Sequence, residues 1–196
     1  MTITKITVSS TKPTLMAIYV DDLFLTNLPR QVIEKNNIRV SQKLSSDDFK
    51  SLEQLGLEEQ YYDKVLKYLM IRLRSSFEVV SYLEKKAVPS DIINKIINRL
   101  IEENLLDDFK FTQAFINDRI KLKPSSSLKI IYELKAKGIG SDIINDLVNR
   151  SEIDDKALTV LIIKKRKIPR YLDDKKLISY LMAQGFSYSN ILEHLK

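Results

Sequence analysis

The 196-residue sequence contains no cysteine and no tryptophan, and its only histidine, His194, lies two residues before the C-terminus. Without cysteine there can be no disulfide framework and no thiolate zinc site. A single histidine cannot assemble a histidine-based metal or catalytic centre. The four glycines include no cluster with the spacing of a phosphate-binding loop. We therefore expect no bound cofactor or metal and no enzymatic activity.

Long apolar runs are also missing. No stretch approaches the roughly 18 consecutive apolar residues that a membrane span requires, and the N-terminus lacks the charged and apolar segments of a signal peptide. We therefore expect a cytoplasmic protein that does not enter a membrane. Hydrophobic residues make up 44% of the chain, which is enough for a core, and five prolines leave room for long helices.

An internal repeat is the most informative feature that the sequence does contain. Residues 75–87, 126–138 and 173–185 share a polar pair followed by apolar residues at helical spacing, and the copies are offset by 51 and then by 47 residues. Repeats of this length are typical of stacked helical units, none of which can bury its apolar face alone. The sequence therefore predicts three tandem three-helix repeats, 58–106, 107–153 and 154–196, that form an elongated, curved array.

The first part of the chain has a different pattern. Residues 4–8, 15–20 and 23–26 are short runs rich in β-branched and aromatic residues, separated by polar turn residues. Asn27-Leu28-Pro29 then starts a short helical stretch. The sequence predicts a small β-containing domain over 1–57, so the fold class is mainly α with a short N-terminal sheet plus helix.

Polar residues at the predicted helix ends have two interpretations. Paired aspartates could bind a hard cation or share a proton, but a carboxylate just before a helix also accepts backbone N–H bonds and complements the helix dipole. We favour the capping interpretation, and expect left-handed helix ends at Gly138 and Gly185. The predicted N-terminal caps are the region Ser45-Ser46-Asp47-Asp48, Ser75, Ser90, Asp107 or Asp108, Ser141 and Ser187.

The net charge of +6 comes entirely from the helical part of the chain, because residues 1–60 carry a balance of −1 and residues 61–196 one of +7. Basic residues recur at equivalent positions near helix ends, which predicts a basic stripe that faces an acidic or nucleic-acid partner. The alternative is complementation of helix dipoles by solvated cations. The predicted stripe consists of Arg72, Arg74, Lys85, Lys86, Arg119, Lys121, Lys123, Lys135, Lys137, Lys164, Lys165, Arg166, Lys167 and Arg170.

Several of these segments, taken in order, resemble the RecX family of recombination regulators. The resemblance covers about 60–196, and Ala87 departs from it because glycine is common at that position. The segments that carry the resemblance are 72–79, 83–86, 107–111 with Arg119, and 134–139.

This resemblance implies a non-enzymatic regulator that acts in DNA repair, recombination and the SOS response. Family members bind the RecA protein filament on DNA, lodge in its groove and inhibit its ATPase and strand-exchange activities. On this interpretation the partners are the RecA filament and, without sequence specificity, single- and double-stranded DNA, and we expect a monomer. The alternatives are a stand-alone, sequence-nonspecific DNA-binding helical module and a metal-dependent nuclease built on the aspartate pairs.

Overall fold

The computed structural model describes residues 1–150 and 152–195, with only the backbone of Arg150. The chain divides into two compact units. The first unit consists of Met1–Leu73 and Val80–Glu103, and the second of Arg74–Val79 and Asn104–Lys196.

A three-stranded antiparallel sheet begins the first unit, with β1 (Ile3–Val8), β2 (Leu15–Val20) and β3 (Leu23–Pro29) in the order β1-β2-β3. Asp21 and Asp22, with φ of 47° and 65°, connect β2 to β3. Two successive positive φ values give a turn whose twist matches that of the flanking strands. The predicted strands are therefore confirmed, and β3 continues further than the sequence indicated.

Two helices follow the sheet, α1 (Arg30–Lys35) and α2 (Ser46–Ile71). The N-cap region predicted at residues 45–48 is confirmed, and within it Ser45 and Asp48 form a reciprocal capping box at the start of α2. Helix α2 runs without interruption through residue 57, where a domain boundary was predicted, because its first half packs on the sheet and its second half contacts α4 (Ser90–Glu102). The domain boundaries stay a prediction.

Helix α3 (Ser76–Glu84) lies between α2 and α4 in the sequence. The predicted Ser75 cap is confirmed, since its hydroxyl accepts from the Glu78 amide at 3.2 Å. The predicted Ser90 cap is wrong: Pro89 occupies the N-cap position, no side chain caps the helix, and Ser90 is already its first residue.

The second unit contains two successive helical triplets. The first triplet consists of α5 (Asp108–Lys121), α6 (Ser127–Ala136) and α7 (Ser141–Arg150). The second consists of α8 (Ile153–Lys165), α9 (Asp174–Ala183) and α10 (Tyr188–Leu195), with a 3-10 turn over Pro169–Leu172 between α8 and α9. Each triplet has its own apolar core, centred on Ile130 and Leu134 in the first and on Leu177 and Leu181 in the second. These four side chains are fully buried.

The predicted fold class is confirmed: the chain is mainly helical, with a small N-terminal antiparallel sheet followed by tandem three-helix units. The curvature of the array stays a prediction. Within the described part of the chain, no helix combines the length and the apolar character needed to cross a bilayer.

Candidate functional site

Two buried serines of the second unit form the same kind of hydrogen bond to a carbonyl distant in the sequence. At the first joint, which we define by Ser75, Ser76, Asp108 and Lys137, the Ser75 hydroxyl donates to the Lys137 carbonyl at 2.7 Å. The Ser76 amide donates to the Asp108 carboxylate at 2.8 Å. Because Ser75 is completely buried, its hydroxyl needs a partner within the fold, and the Lys137 carbonyl provides it.

The second joint, defined by Ser126, Ser127, Asp154 and Gln184, repeats this arrangement. The Ser126 hydroxyl donates to the Gln184 carbonyl at 2.8 Å, and the Ser127 amide donates to Asp154 at 2.6 Å. The serines of the two joints are 51 residues apart and the carbonyls 47 residues apart, which are the offsets of the internal repeat. The serines and carbonyls of the two joints are therefore equivalent in the repeat, whereas the aspartates, Asp108 and Asp154, are 46 residues apart and so are shifted by one position.

A groove of about 380 Å³ opens beside the second joint, and four lysines line it. We call it the basic groove. Lys123 follows α5, Lys129 lies in the first turn of α6, and Lys164 and Lys165 end α8. Among the residues that the structure describes, no carboxylate lines the groove. Its remaining lining residues are Leu122, Pro124, Ser125, Leu161, Ile168, Tyr180 and Gln184.

The charges of the basic groove are not neutralised inside the fold. None of the four lysines forms an ion pair with a residue that the structure describes. The Lys165 ammonium instead lies 4.3 Å from the centre of the Tyr180 ring and 5.2 Å from that of Tyr171, so two aromatic faces hold it in place. The groove therefore presents four positive charges to solvent or to a ligand.

Helix dipoles account for only some of these lysines. Lys164 and Lys165 lie at the C-terminal end of α8, where a cation is favoured. Lys129 lies in the first turn of α6, where the dipole disfavours a cation. Lys129 is absent from the predicted stripe, because the stripe was defined by cations near helix C-termini. A lysine at an unfavourable end of a helix is the signal that could have found it.

Three residues of the predicted stripe, Lys123, Lys164 and Lys165, lie in the basic groove. Three others are engaged inside the fold. Arg119 contacts Glu133 at 2.6 Å and Lys137 contacts Glu78 at 3.2 Å, while Arg166 binds Asp174 and the carbonyls of Tyr171 and Leu172. These three cations have internal partners that reduce their charge toward solvent.

The other eight predicted cations lie outside the groove. Arg74 is half-buried, and the remaining seven are exposed: Arg72, Lys85, Lys86, Lys121, Lys135, Lys167 and Arg170. That the 14 cations form one partner-binding stripe stays a prediction.

A larger cavity of about 710 Å³ lies in the first unit, between β3 and α2. Two carboxylates among its lining residues offset part of its positive charge: Asp63 pairs with Lys67 at 2.9 Å and with Lys12 at 3.8 Å, and Glu59 pairs with Arg99 at 2.6 Å. Arg99 also stacks on the Tyr62 ring at 3.7 Å. The pair of Arg99 and Glu59 links α4 to α2, so these two groups serve the packing of the first unit.

Matches to known proteins extend over most of the chain. Models of the first and second three-helix domains of RecX match residues 62–100 and 107–147. "Regulatory protein RecX" of Prosthecochloris aestuarii is 33% identical over 138 residues, which are 68% of this chain and 89% of the relative. The Finegoldia magna protein of the same name is 33% identical over 135 residues, 65% of this chain and 66% of the relative.

Other relatives match along nearly the whole length. "Regulatory protein RecX" of Clostridium botulinum strain Eklund 17B is 25% identical over 202 residues, covering 99% of this chain and 94% of the relative. A crystal structure of regulatory protein RecX matches with a TM-score of 0.78 at 21% identity over 98% of both chains, and so shares the fold. RecX from Lactobacillus salivarius matches with a TM-score of 0.61 at 25% identity over 70% of this chain and 94% of that one.

Proposed function

Because the chain belongs to the RecX family of regulatory proteins, we propose that it regulates the RecA recombinase. It binds the RecA filament on DNA and lowers ATP hydrolysis and strand exchange, without being an enzyme itself. It acts as a monomer in the cytoplasm, where the recombinase and the chromosome are. The observation that carries this proposal is the ordered match to both RecX three-helix domains.

The basic groove supports a role on a DNA-containing filament. Lysines that contact phosphates release counterions from DNA, which gives affinity that depends on salt and not on base sequence. A regulator that must act wherever a filament forms needs binding of this kind. The basic groove is suited to such binding, because four lysines line it and none of the described carboxylates does.

An ATPase assay tests the proposal. RecA and single-stranded DNA are held at fixed concentration and salt while the protein is titrated, and the rate of ATP hydrolysis is followed. We expect hydrolysis to fall as the protein approaches the concentration of the filament. An unchanged rate at saturating protein would reject the proposal.

Competition with bare DNA separates this function from that of a stand-alone DNA-binding module. Duplex DNA is added at the same phosphate concentration as the filament. A filament regulator keeps most of its inhibition, because the filament binds it better than bare DNA does. Complete relief of inhibition by the duplex would favour the DNA-binding module.

A further inference from the structure

We propose that the basic groove is a binding site for the phosphodiester backbone of nucleic acid, and that the first joint, although built in the same way, is not. This inference deepens the proposed function and rests on it for the identity of the polyanion. It assigns DNA contact to one of two equivalent places in the repeat.

The repeat itself supplies the comparison. At the offsets that relate the two joints, Lys129 corresponds to Glu78, Lys165 to Asp118 and Tyr180 to Glu133. Three positions beside the first joint are therefore acidic where the second joint has two lysines and a tyrosine. A joint of this architecture thus forms without a lysine-rich lining.

The acids beside the first joint are used within the fold. Glu78 pairs with Lys137 at 3.2 Å and Glu133 pairs with Arg119 at 2.6 Å, so the cations there are neutralised. The basic groove keeps its charges uncompensated instead, and like charges held in one groove repel one another. An anionic ligand relieves this repulsion, which gives the lysines a function that packing does not.

The type of cation suits a ligand whose anionic groups approach from several directions. All four charged residues of the groove are lysines and none is arginine. The planar arginine fork binds carboxylates and phosphates in a fixed bidentate geometry, whereas the lysine ammonium is a point charge that can contact a phosphate from many directions. A groove that follows a repeating backbone benefits from this tolerance, and the apolar walls of Leu161 and Ile168 strengthen the field inside it.

The test measures DNA binding without RecA. In the full-length protein, Lys123, Lys129, Lys164 and Lys165 are changed to Gln, and the affinity for a short fluorescent single strand and for a short duplex is measured by anisotropy from about 50 to about 200 mM salt. We expect weaker binding at every salt concentration. On the single strand, the slope of log affinity against log salt falls by up to about 3, since each lost phosphate contact contributes about 0.7.

The matched control removes the same charge elsewhere. Lys43, Lys50, Lys95 and Lys175 are exposed, lie outside the groove and do not belong to the predicted stripe, and their change to Gln is expected to leave most of the salt dependence in place. An equal loss in both quadruple variants would show a general charge effect and overturn the assignment. Because Lys165 packs on two tyrosines, a triple variant that keeps Lys165 gives a second measurement, with a slope reduced by about 2.

Running the ATPase assay on the same variants separates the two proposals. A groove variant that binds DNA normally but no longer inhibits RecA would mean that the groove contacts an acidic protein surface, which overturns the present inference and leaves the proposed function intact. A wild-type protein that binds DNA through the groove without affecting RecA would overturn the proposed function and leave the present inference intact.

Discussion

Two glycines that are two residues apart, Gly138 and Gly140, differ in what a side chain would meet. Gly138 has a φ of +72°, and a Cβ added to it would lie 2.4 Å from the Cβ of Phe77. Nothing lies within 4 Å of a Cβ added to Gly140. Gly138 therefore allows both the left-handed helix end and the close approach of backbone to Phe77 beside the first joint.

We predict that Gly138→Ala lowers the free energy of unfolding by about 2–5 kcal/mol, the sum of the cost of a left-handed residue and that of overpacking. Chemical denaturation followed by circular dichroism measures the change. Gly140→Ala is the matched control and is expected to change stability by less than about 1 kcal/mol. Equal effects of the two substitutions would refute this account of Gly138.

At Ala87 the backbone keeps the left-handed conformation although the residue is not glycine. It occupies the position of Gly138 and Gly185 in the first repeat and adopts the same left-handed conformation, with a φ of 54°. The departure from glycine noted in the sequence therefore does not change the path of the chain. The left-handed conformation of an alanine costs about 1–2 kcal/mol relative to glycine.

The contact between α2 and α4 depends on one polar cluster. Arg99 on α4 binds Glu59 and Glu103, and Tyr62 on α2 donates a hydrogen bond to Glu103. Burial, followed by this hydrogen bond, raises the pKa of Tyr62 to about 12 from an ordinary value of 10.0. The hydrogen bond from Tyr62 in turn lowers the pKa of Glu103. The cluster thus favours a neutral phenol beside a charged carboxylate.

We predict that this cluster makes the free energy of unfolding decrease at alkaline pH. Below pH 10 the Tyr62 phenol is protonated in both the folded and the unfolded state, whereas between about 10 and 12 only the unfolded state loses the proton, so the free energy of unfolding decreases as the pH rises. Tyrosinate absorbance should show one late-titrating tyrosine. Tyr62→Phe should remove this late phase, and the exposed control Tyr188→Phe should retain it. A late phase that persists in Tyr62→Phe would contradict the assignment.

For individual strands and helices, the features that depend on neighbouring residues in the sequence could be predicted from it. Strand positions and the caps at Ser45, Ser75 and Asp107 follow from local residue patterns and are confirmed. Ser90 was misassigned because the preceding Pro89 takes the cap position itself. The continuity of α2 was missed because the change of partner, from sheet to α4, leaves no mark in its helical pattern.

The candidate site was only partly predictable for a related reason. Lys123, Lys164 and Lys165 were selected from the sequence, but the groove that they share with Lys129 brings together residues from α6, from α8 and from the segment after α5. Sequence spacing gives the face of each helix and not the distance between helices. Internal pairing of Arg119 and Lys137 likewise depends on acids far away in the sequence.

Across the whole chain, one position of the repeat explains where the joints occur. Ser75, Ser126 and Asp173 are equivalent by sequence. The two serines donate to the carbonyls of Lys137 and Gln184, whereas Asp173 accepts a bond from the Lys175 amide and caps its own helix. In the last triplet a capping carboxylate therefore takes the place of the hydroxyl that makes a joint.

We predict that substitutions at these equivalent positions have unequal costs. Ser75→Ala and Ser126→Ala should each lower the free energy of unfolding by about 1–3 kcal/mol. In each variant the carbonyl, of Lys137 or of Gln184, loses the serine hydroxyl that donates a hydrogen bond to it. Asp173→Ser should cost less than about 1 kcal/mol, since serine is as good an N-cap as aspartate. Denaturant titrations of the three variants measure these differences. If Ser75→Ala and Ser126→Ala cost no more than Asp173→Ser, the contribution of the serine hydroxyls at the two joints would be disproved.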